Sequence, residues 1–194
     1  MIDLQPQTSF VPQPVRLRFS VDEYYKMIEL GLIKDCEKAE IIEGEMIKKM
    51  TIGDKHALIV DLLSSFFIKT LPDSVRVRVQ NPLRLTDYNE PEPDIVLADL
   101  TKYDGRRHPR ANEVILVVEV SDTTLKYDRD IKIPLYAAVA IPEVWIVNLV
   151  NDIIEVHQNP SNGIYQLANI YTSGDVLKST ALPKLHLEVD KILN

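Results

Sequence analysis

Two stretches decide the fold: Glu-Val-Ile-Leu-Val-Val-Glu-Val-Ser at residues 113–121 and Pro-Asp-Ile-Val-Leu-Ala at residues 93–98. Both are short and nearly continuously apolar, the pattern of strands covered on both sides. Side chains alternate along a strand, so Val117, Glu119 and Ser121 share one face while Val118 and Val120 point to the other. One face therefore carries an acid and a hydroxyl, and the opposite face is pure core. Asp94 opens the shorter run directly after Pro93. A polar loop at residues 101–113, long enough to be functional or mobile, separates the two.

Outward from this centre, Val-Arg-Val-Arg-Val at 75–79 alternates strictly, which predicts a half-buried strand with Arg76 and Arg78 on the wet face. Before it, Ala57, Leu58, Leu62, Leu63, Phe66 and Phe67 recur at helical spacing up to Leu71, and Pro72 and Asp73 make the turn. Thr51 with Asp54 reads as a capping box for that helix, as Ser20 with Glu23 does for an earlier helix running to Gly31. Residues 39–49, AEIIEGEMIKK, predict a strand or hairpin turning at Gly44. Residues 1–18 are rich in Pro and Gln and read as a loose arm, which leaves 19–194 as a single domain.

Downstream of Ser121 a further helix is expected. Its start is bounded by Pro134, tolerated only in a first turn, so a start at Asp130 fits and one at Asp128 places Pro134 too deep. The helix ends before Pro142. Strands follow in EVWIVNL, IIEVHQN and YQLANIYT, with turns at Asn151 and Asp152 and at residues 160–163. The order predicts a mixed α/β fold, a mixed sheet with flanking helices, without internal repeats or linkers.

At 194 residues and 45% hydrophobic content, the chain suits one domain with a full core. Its single cysteine, Cys36, excludes an intramolecular disulfide and a cysteine-based zinc site. The first ten residues lack the basic and apolar regions of a signal peptide, and no apolar run is long enough to cross a bilayer. A cytoplasmic protein is expected. The net charge of −7 counts against a high-affinity, non-specific nucleic-acid binder. A site that collects carboxylates for a metal is itself acidic, however, and local basic runs remain at Arg76 and Arg78, at Arg106, Arg107, His108 and Arg110, and at Lys126, Arg129 and Lys132.

A carboxylate in a buried strand is costly unless it is paired or binds a cation. If the strands of Asp94 and Glu119 are neighbours, the two acids converge at a strand end. That is a ligand set for Mg²⁺ or Mn²⁺, which prefer oxygen donors and keep several waters. The plainer alternative is a buried acid paired with Arg84 or Lys132.

The segments AEIIEGE, His56, Pro93-Asp94, VVEVSDTT, Asp128 with Lys132 and Tyr136, and IPEVWIVN, in this order, resemble the Uma-type restriction endonuclease family. PEPD followed by LVVEVS likewise resembles the wider PD-(D/E)XK nuclease superfamily. The likeness runs from about Phe19 to about Leu187. It implies a restriction-endonuclease-like core and a Mg²⁺- or Mn²⁺-dependent endonuclease that hydrolyses phosphodiester bonds, in DNA, with Asp94 and Glu119 holding the metal. Ser121 stands where the superfamily usually keeps its lysine, and Lys132 falls where the family's alternative lysine lies, as a cation to orient water or steady phosphate. Glu40 matches the acid of the family's early turn, although Glu43 and Glu45 lie close by. His56, Ser121 and Tyr136 are candidate neighbours of the site, with capping, surface and core roles as the alternatives; Trp145 reads as core. Val144, Asn148 and Ala140 depart from the family's aromatic, Asp and Gly.

A homodimer is expected, because one compact site cuts one strand and duplex cleavage needs two. The rival reading is a catalytically degenerate nuclease fold acting as a nucleic-acid or protein binding module. Whether Lys132 approaches Asp94 and Glu119 discriminates between them.

Overall fold

The central sheet follows the chain strand by strand: β3 (Val75–Val79), β4 (Ile95–Asp99), β5 (Val114–Ser121), β6 (Glu143–Asn148), β7 (Ile153–Ser161) and β8 (Ile164–Tyr171). This computed structural model describes residues 16–33, 39–49 and 51–193, so Cys36 and residues 1–15 of the expected arm lie outside the described residues. Neighbouring strands are antiparallel except β5 and β6, which are parallel. A parallel pair needs a crossover, and residues 125–138 supply it as a helix. β6 is buried at every position and β5 at every position but Ile115. These are the two middle strands, covered on both faces as their apolar runs require.

Two helical layers cover the sheet. α2 (Asp54–Thr70) lays Ile59, Val60, Leu63 and Phe67 on one face, against Leu116, Val118, Val120 and Trp145. The C-terminal hairpin of β9 (Val176–Lys178) and β10 (His186–Glu188), followed by α5 (Asp190–Leu193), joins the same cluster through Leu177, Leu187 and Ile192. On the other face the crossover helix sets Tyr136 among Val96, Val117, Ile141 and Val144. Val117 and Val118 thus enter opposite clusters, as strand alternation demands.

At the N-terminal end, α1 (Val21–Glu29) starts at a complete capping box of Ser20 and Glu23. β1 (Ala39–Ile42) and β2 (Glu45–Lys48) form a hairpin. Its turn holds Glu43 at φ 51° and Gly44 at φ 77°. Gly44 is required there, since a Cβ would lie 2.8 Å from the Arg18 Cβ and 3.0 Å from the Phe19 carbonyl. Two backbone bonds between Ile41 and Glu90 tie the hairpin to the approach to β4. That tie sets Glu40 beside Glu92, close to Asp94.

Four expectations are corrected. The N-cap of α2 is Gly53, with no side-chain cap, so Thr51 and Asp54 form no capping box. The buried face of α2 is rotated from the predicted one, with Leu58 57% exposed and Ile59 and Val60 inside. The rotation carries His56 toward the sheet, on the same stripe as Val60, Leu63 and Phe67. Arg78 is half-buried, with its guanidinium donating to the Tyr103 hydroxyl at 3.3 Å, because residues 101–107 fold back over β3.

The crossover helix begins at Leu125, not at Asp130. It runs as α3 (Leu125–Tyr127), a π turn (Asp128–Lys132) and α4 (Ile133–Ala138). In the wide turn the Ile133 N–H reaches back five residues to the Asp128 carbonyl. Pro134 has no N–H and would press its ring on the carbonyl four residues back, so a widened turn just before it lets the helix start earlier than an α-helix could.

Candidate active site

The β4 and β5 register pairs Ile95 with Val118. One step further sets Asp94 opposite Glu119, on the face that also carries Val96 and Val117. Both acids are buried, at 6% and 3% exposure. The crossover helix passes over this face and the β1–β2 hairpin closes it from the side, so four elements meet around a cleft of about 480 Å³.

Lys132 is the hub. Its ammonium, only 6% exposed as a residue, stands 3.3 Å from Glu119 Oε1, 3.3 Å from Glu40 Oε2 and 3.7 Å from Asp128 Oδ1. The π turn therefore directs Lys132 into the site, and Pro134 does not deflect it. Of the two cations weighed as partners of the buried acids, Lys132 is the one used; Arg84 binds Asp22, Asp87 and Glu90 elsewhere. Of the three early acids, Glu40 faces the site, while Glu43 and Glu45 pair with Arg18 and Arg16 outside it. Glu40 is fixed further by the Glu92 N–H at 3.1 Å.

The remaining candidates also converge. Tyr136 donates its hydroxyl to Glu119 Oε1 at 2.6 Å, from full burial. Ser121 donates to Asp128 Oδ2 at 2.8 Å and so steadies the acid one helical turn before Lys132. His56 Nε2 lies 3.1 Å from Asp94 Oδ2. The same oxygen accepts the Val120 N–H at 2.8 Å, and Gln80 donates to Asp94 Oδ1 at 3.2 Å. Trp145 is core, as expected, with its indole N–H on Glu143.

Gln80 and Tyr127 were not among the sequence candidates for the site, and Asp128 entered only as part of the resemblance, without a role. The carboxylate of Asp128, four residues before Lys132, was open to helical spacing. Gln80, at φ 49°, gave no signal. The basic runs are largely consumed within the protein: Arg107 pairs with Glu113, Arg129 with Glu155 and Lys126 with Asp130.

The electrostatics follow from burying several acids around one lysine. Burial pushes the Glu119 carboxyl up to about 8; Lys132 opposes this, and Asp128 and Asp94 add to it. Burial would also raise Asp94, yet His56, the Val120 N–H and Gln80 hold it below the usual range. For Lys132, burial favours the neutral amine, but Glu119, Glu40 and Asp128 together keep it firmly protonated. Burial and the charge of Glu40 raise the Tyr127 hydroxyl to about 12.

The donor set fits a hard divalent cation. Asp94 and Glu119 offer only oxygen, and the acids at this site outnumber its cations. Among the described residues no group of three or more His, Cys, Asp or Glu side chains is spaced to hold an ion alone. A cation here would rest on the pair and fill its shell with water, as Mg²⁺ commonly does. His56 Nδ1 and the Tyr127 hydroxyl, both on residues lining the cleft, are buried without a hydrogen-bond partner.

The six-stranded mixed sheet with helices on both faces is a restriction-endonuclease-like fold, and at its β4 and β5 it sets an aspartate and a glutamate beside a lysine. The crystal structure of a "putative nuclease belonging to DUF820" from Anabaena variabilis has the same fold, with a TM-score of 0.69 over 90% of this chain and 97% of that one, at 17% identity. The chain belongs to the Uma2 family, described as "Putative restriction endonuclease", whose model matches residues 21–190. No curated protein matches it. Among the described residues no helix is long and apolar enough to cross a membrane.

Proposed function

We propose that the chain is a divalent-cation-dependent endonuclease that hydrolyses phosphodiester bonds in DNA. One observation carries this reading: Lys132, arriving from the crossover helix, stands 3.3 Å from Glu119, the register partner of Asp94. The family's description and the neighbour's title support a nuclease; the cation and DNA are inferred from the chemistry of the cleft. Asp94 and Glu119 would hold Mg²⁺ or Mn²⁺, which when bound neutralises charge on the scissile phosphate and makes water more acidic.

The chain's own groups do the rest. Lys132 donates to the attacking water or to a non-bridging phosphate oxygen, from a position set by Glu40 and Asp128. Tyr136 fixes the rotamer of Glu119, and His56 with Gln80 fixes that of Asp94. Water oxygen bonds to phosphorus, the bond to the leaving sugar oxygen breaks, and a proton returns to that oxygen. The lysine missing after Glu119 is thus replaced from another element, and the feature that would have favoured a degenerate binding module, a Lys132 pointing away, is absent.

The test is Mn²⁺ calorimetry and plasmid nicking on the same samples of wild type, Asp94→Asn and Lys132→Met. Asp94→Asn should abolish both Mn²⁺ binding and nicking. Lys132→Met should retain Mn²⁺ binding and lose roughly 10²- to 10⁴-fold in nicking rate, the scale of a lost proton-handling or charge-stabilising group. Mn²⁺ binding by the wild type without nicking would leave the binding module in its place.

A further inference from the structure

The cleft is narrow as well as deep. Glu40, Asp94, Glu119, Asp128 and Lys132 are all buried, so a phosphate reaches them only by descending between the β1–β2 hairpin and the crossover helix. A volume of about 480 Å³ accepts one group the size of a small ligand, which a nucleotide is and a paired duplex is not. The walls also hold more apolar surface than a phosphate calls for. Ile47 shares the face of Glu40, its register partner, and lines the cleft together with Ile52 and Tyr127. The Tyr127 hydroxyl is buried, so this half-buried side chain offers the cleft its ring. Ile52 is 45% exposed at the rim. In a duplex the bases stack on one another and show only their edges in the grooves. An unpaired base offers its flat faces to apolar and aromatic side chains.

We propose that the substrate is an unpaired DNA strand. One of its nucleotides enters the cleft with its phosphate toward Lys132 and its base against Ile47, Ile52 and the Tyr127 ring. Charge selects the same ligand. Duplex DNA carries one negative charge per ~1.7 Å of its axis, and a single strand about half that density. A chain of net charge −7, whose basic runs are largely paired within the protein, repels the duplex more strongly. The inference rests on the reading of the cleft as a DNA-cutting site and adds to it the state of the strand.

Two measurements on the full chain test it. In Mn²⁺, wild type should cut a single-stranded DNA circle at least roughly 10-fold faster than a relaxed duplex of the same sequence, the scale of one base–side-chain contact. Supercoiled plasmid, which opens locally, should fall between them. Fluorescence anisotropy with labelled single-stranded and duplex oligonucleotides, in Ca²⁺, which also takes oxygen ligands, reads affinity apart from cutting. Ile52→Ser and Tyr127→Leu should each weaken single-strand binding by roughly 10-fold and leave duplex binding and Mn²⁺ affinity unchanged. Ile52→Ser, at the exposed rim, should also leave the melting curve unchanged, which separates a lost contact from a lost fold. Cutting of the relaxed duplex as fast as the single strand would overturn the inference and leave the nuclease reading standing. Preferential single-strand binding that weakens in both variants, without any cutting, would uphold the inference and remove the nuclease reading. Equal affinity for the two oligonucleotides, no binding to either, or variants that bind the single strand as wild type does would sink the inference whether or not the chain cuts.

Discussion

Ala140 sits at φ 59°, a left-handed conformation that costs an L residue with a Cβ roughly 1–2 kcal/mol. It is exposed at the end of the crossover helix. Ala140→Gly should therefore stabilise the fold by a net of roughly 0.5–1 kcal/mol, after the extra freedom glycine has when unfolded. Thermal melting should show a rise of roughly 2–4 °C per kcal/mol. Tyr136→Phe removes the hydroxyl that donates to Glu119 and leaves a buried acceptor short of one partner. A loss of about 1–2 kcal/mol in urea unfolding is expected. The candidate acids were legible at this scale because a carboxyl group at or inside an apolar strand contradicts its surroundings. Glu40 was not legible from pattern alone: it lies in an ordinary charged stretch, and only the resemblance singled it out. Lys132 was legible only as one of two possible cation partners of the buried acids, and its place in the chemistry came from the resemblance. Gln80 and Tyr127 gave no signal, because neither residue type is out of place where it stands.

Among elements, the β6 and β7 pair is clamped to the crossover helix by Glu155, which accepts from Asn148 at 3.0 Å and pairs with Arg129. Burial would raise the Glu155 carboxyl, but Arg129 and Asn148 hold it below the usual range. A carboxyl depressed on folding adds stability that is present above its unfolded pKa, about 4.3, and is lost as pH falls through the folded value. Glu155→Gln should thus be less stable than wild type at pH 7, by about 1 kcal/mol given the half-exposed arginine, and the gap should close in acid. Urea unfolding at neutral and acid pH measures it. The strands of this layer were readable because double burial leaves an apolar run and little else. The start of the crossover helix was not, since the proline rule assumes α-helical spacing and the chain uses a π turn. β9 and β10 went unread for a different reason: each has three residues, too few for alternation to register.

For the molecule as a whole, one buried carboxylate joins the C-terminal segment to the sheet. Glu143 has no exposed surface and accepts from Trp145, Gln158, the Thr180 N–H and hydroxyl, and the Ala181 N–H. Glu143→Ala strands several buried donors together and should cost at least about 3 kcal/mol in urea unfolding. Limited proteolysis should cut first in residues 176–193, which lose their anchor, before α2 or the sheet is touched.

The cleft draws Glu40, Asp94, Glu119 and Lys132 from four elements that span nearly half the chain, and Lys132 comes last in order of synthesis. A ribosome-bound chain that has exposed its hairpin and first strands holds acids without their counter-ion, and the strand that must lie beside β5 has yet to emerge. Assembly of the cleft is thereby deferred until the chain has been made to residue 148, and fragments ending before residue 132 hold its acids without the ammonium that balances them.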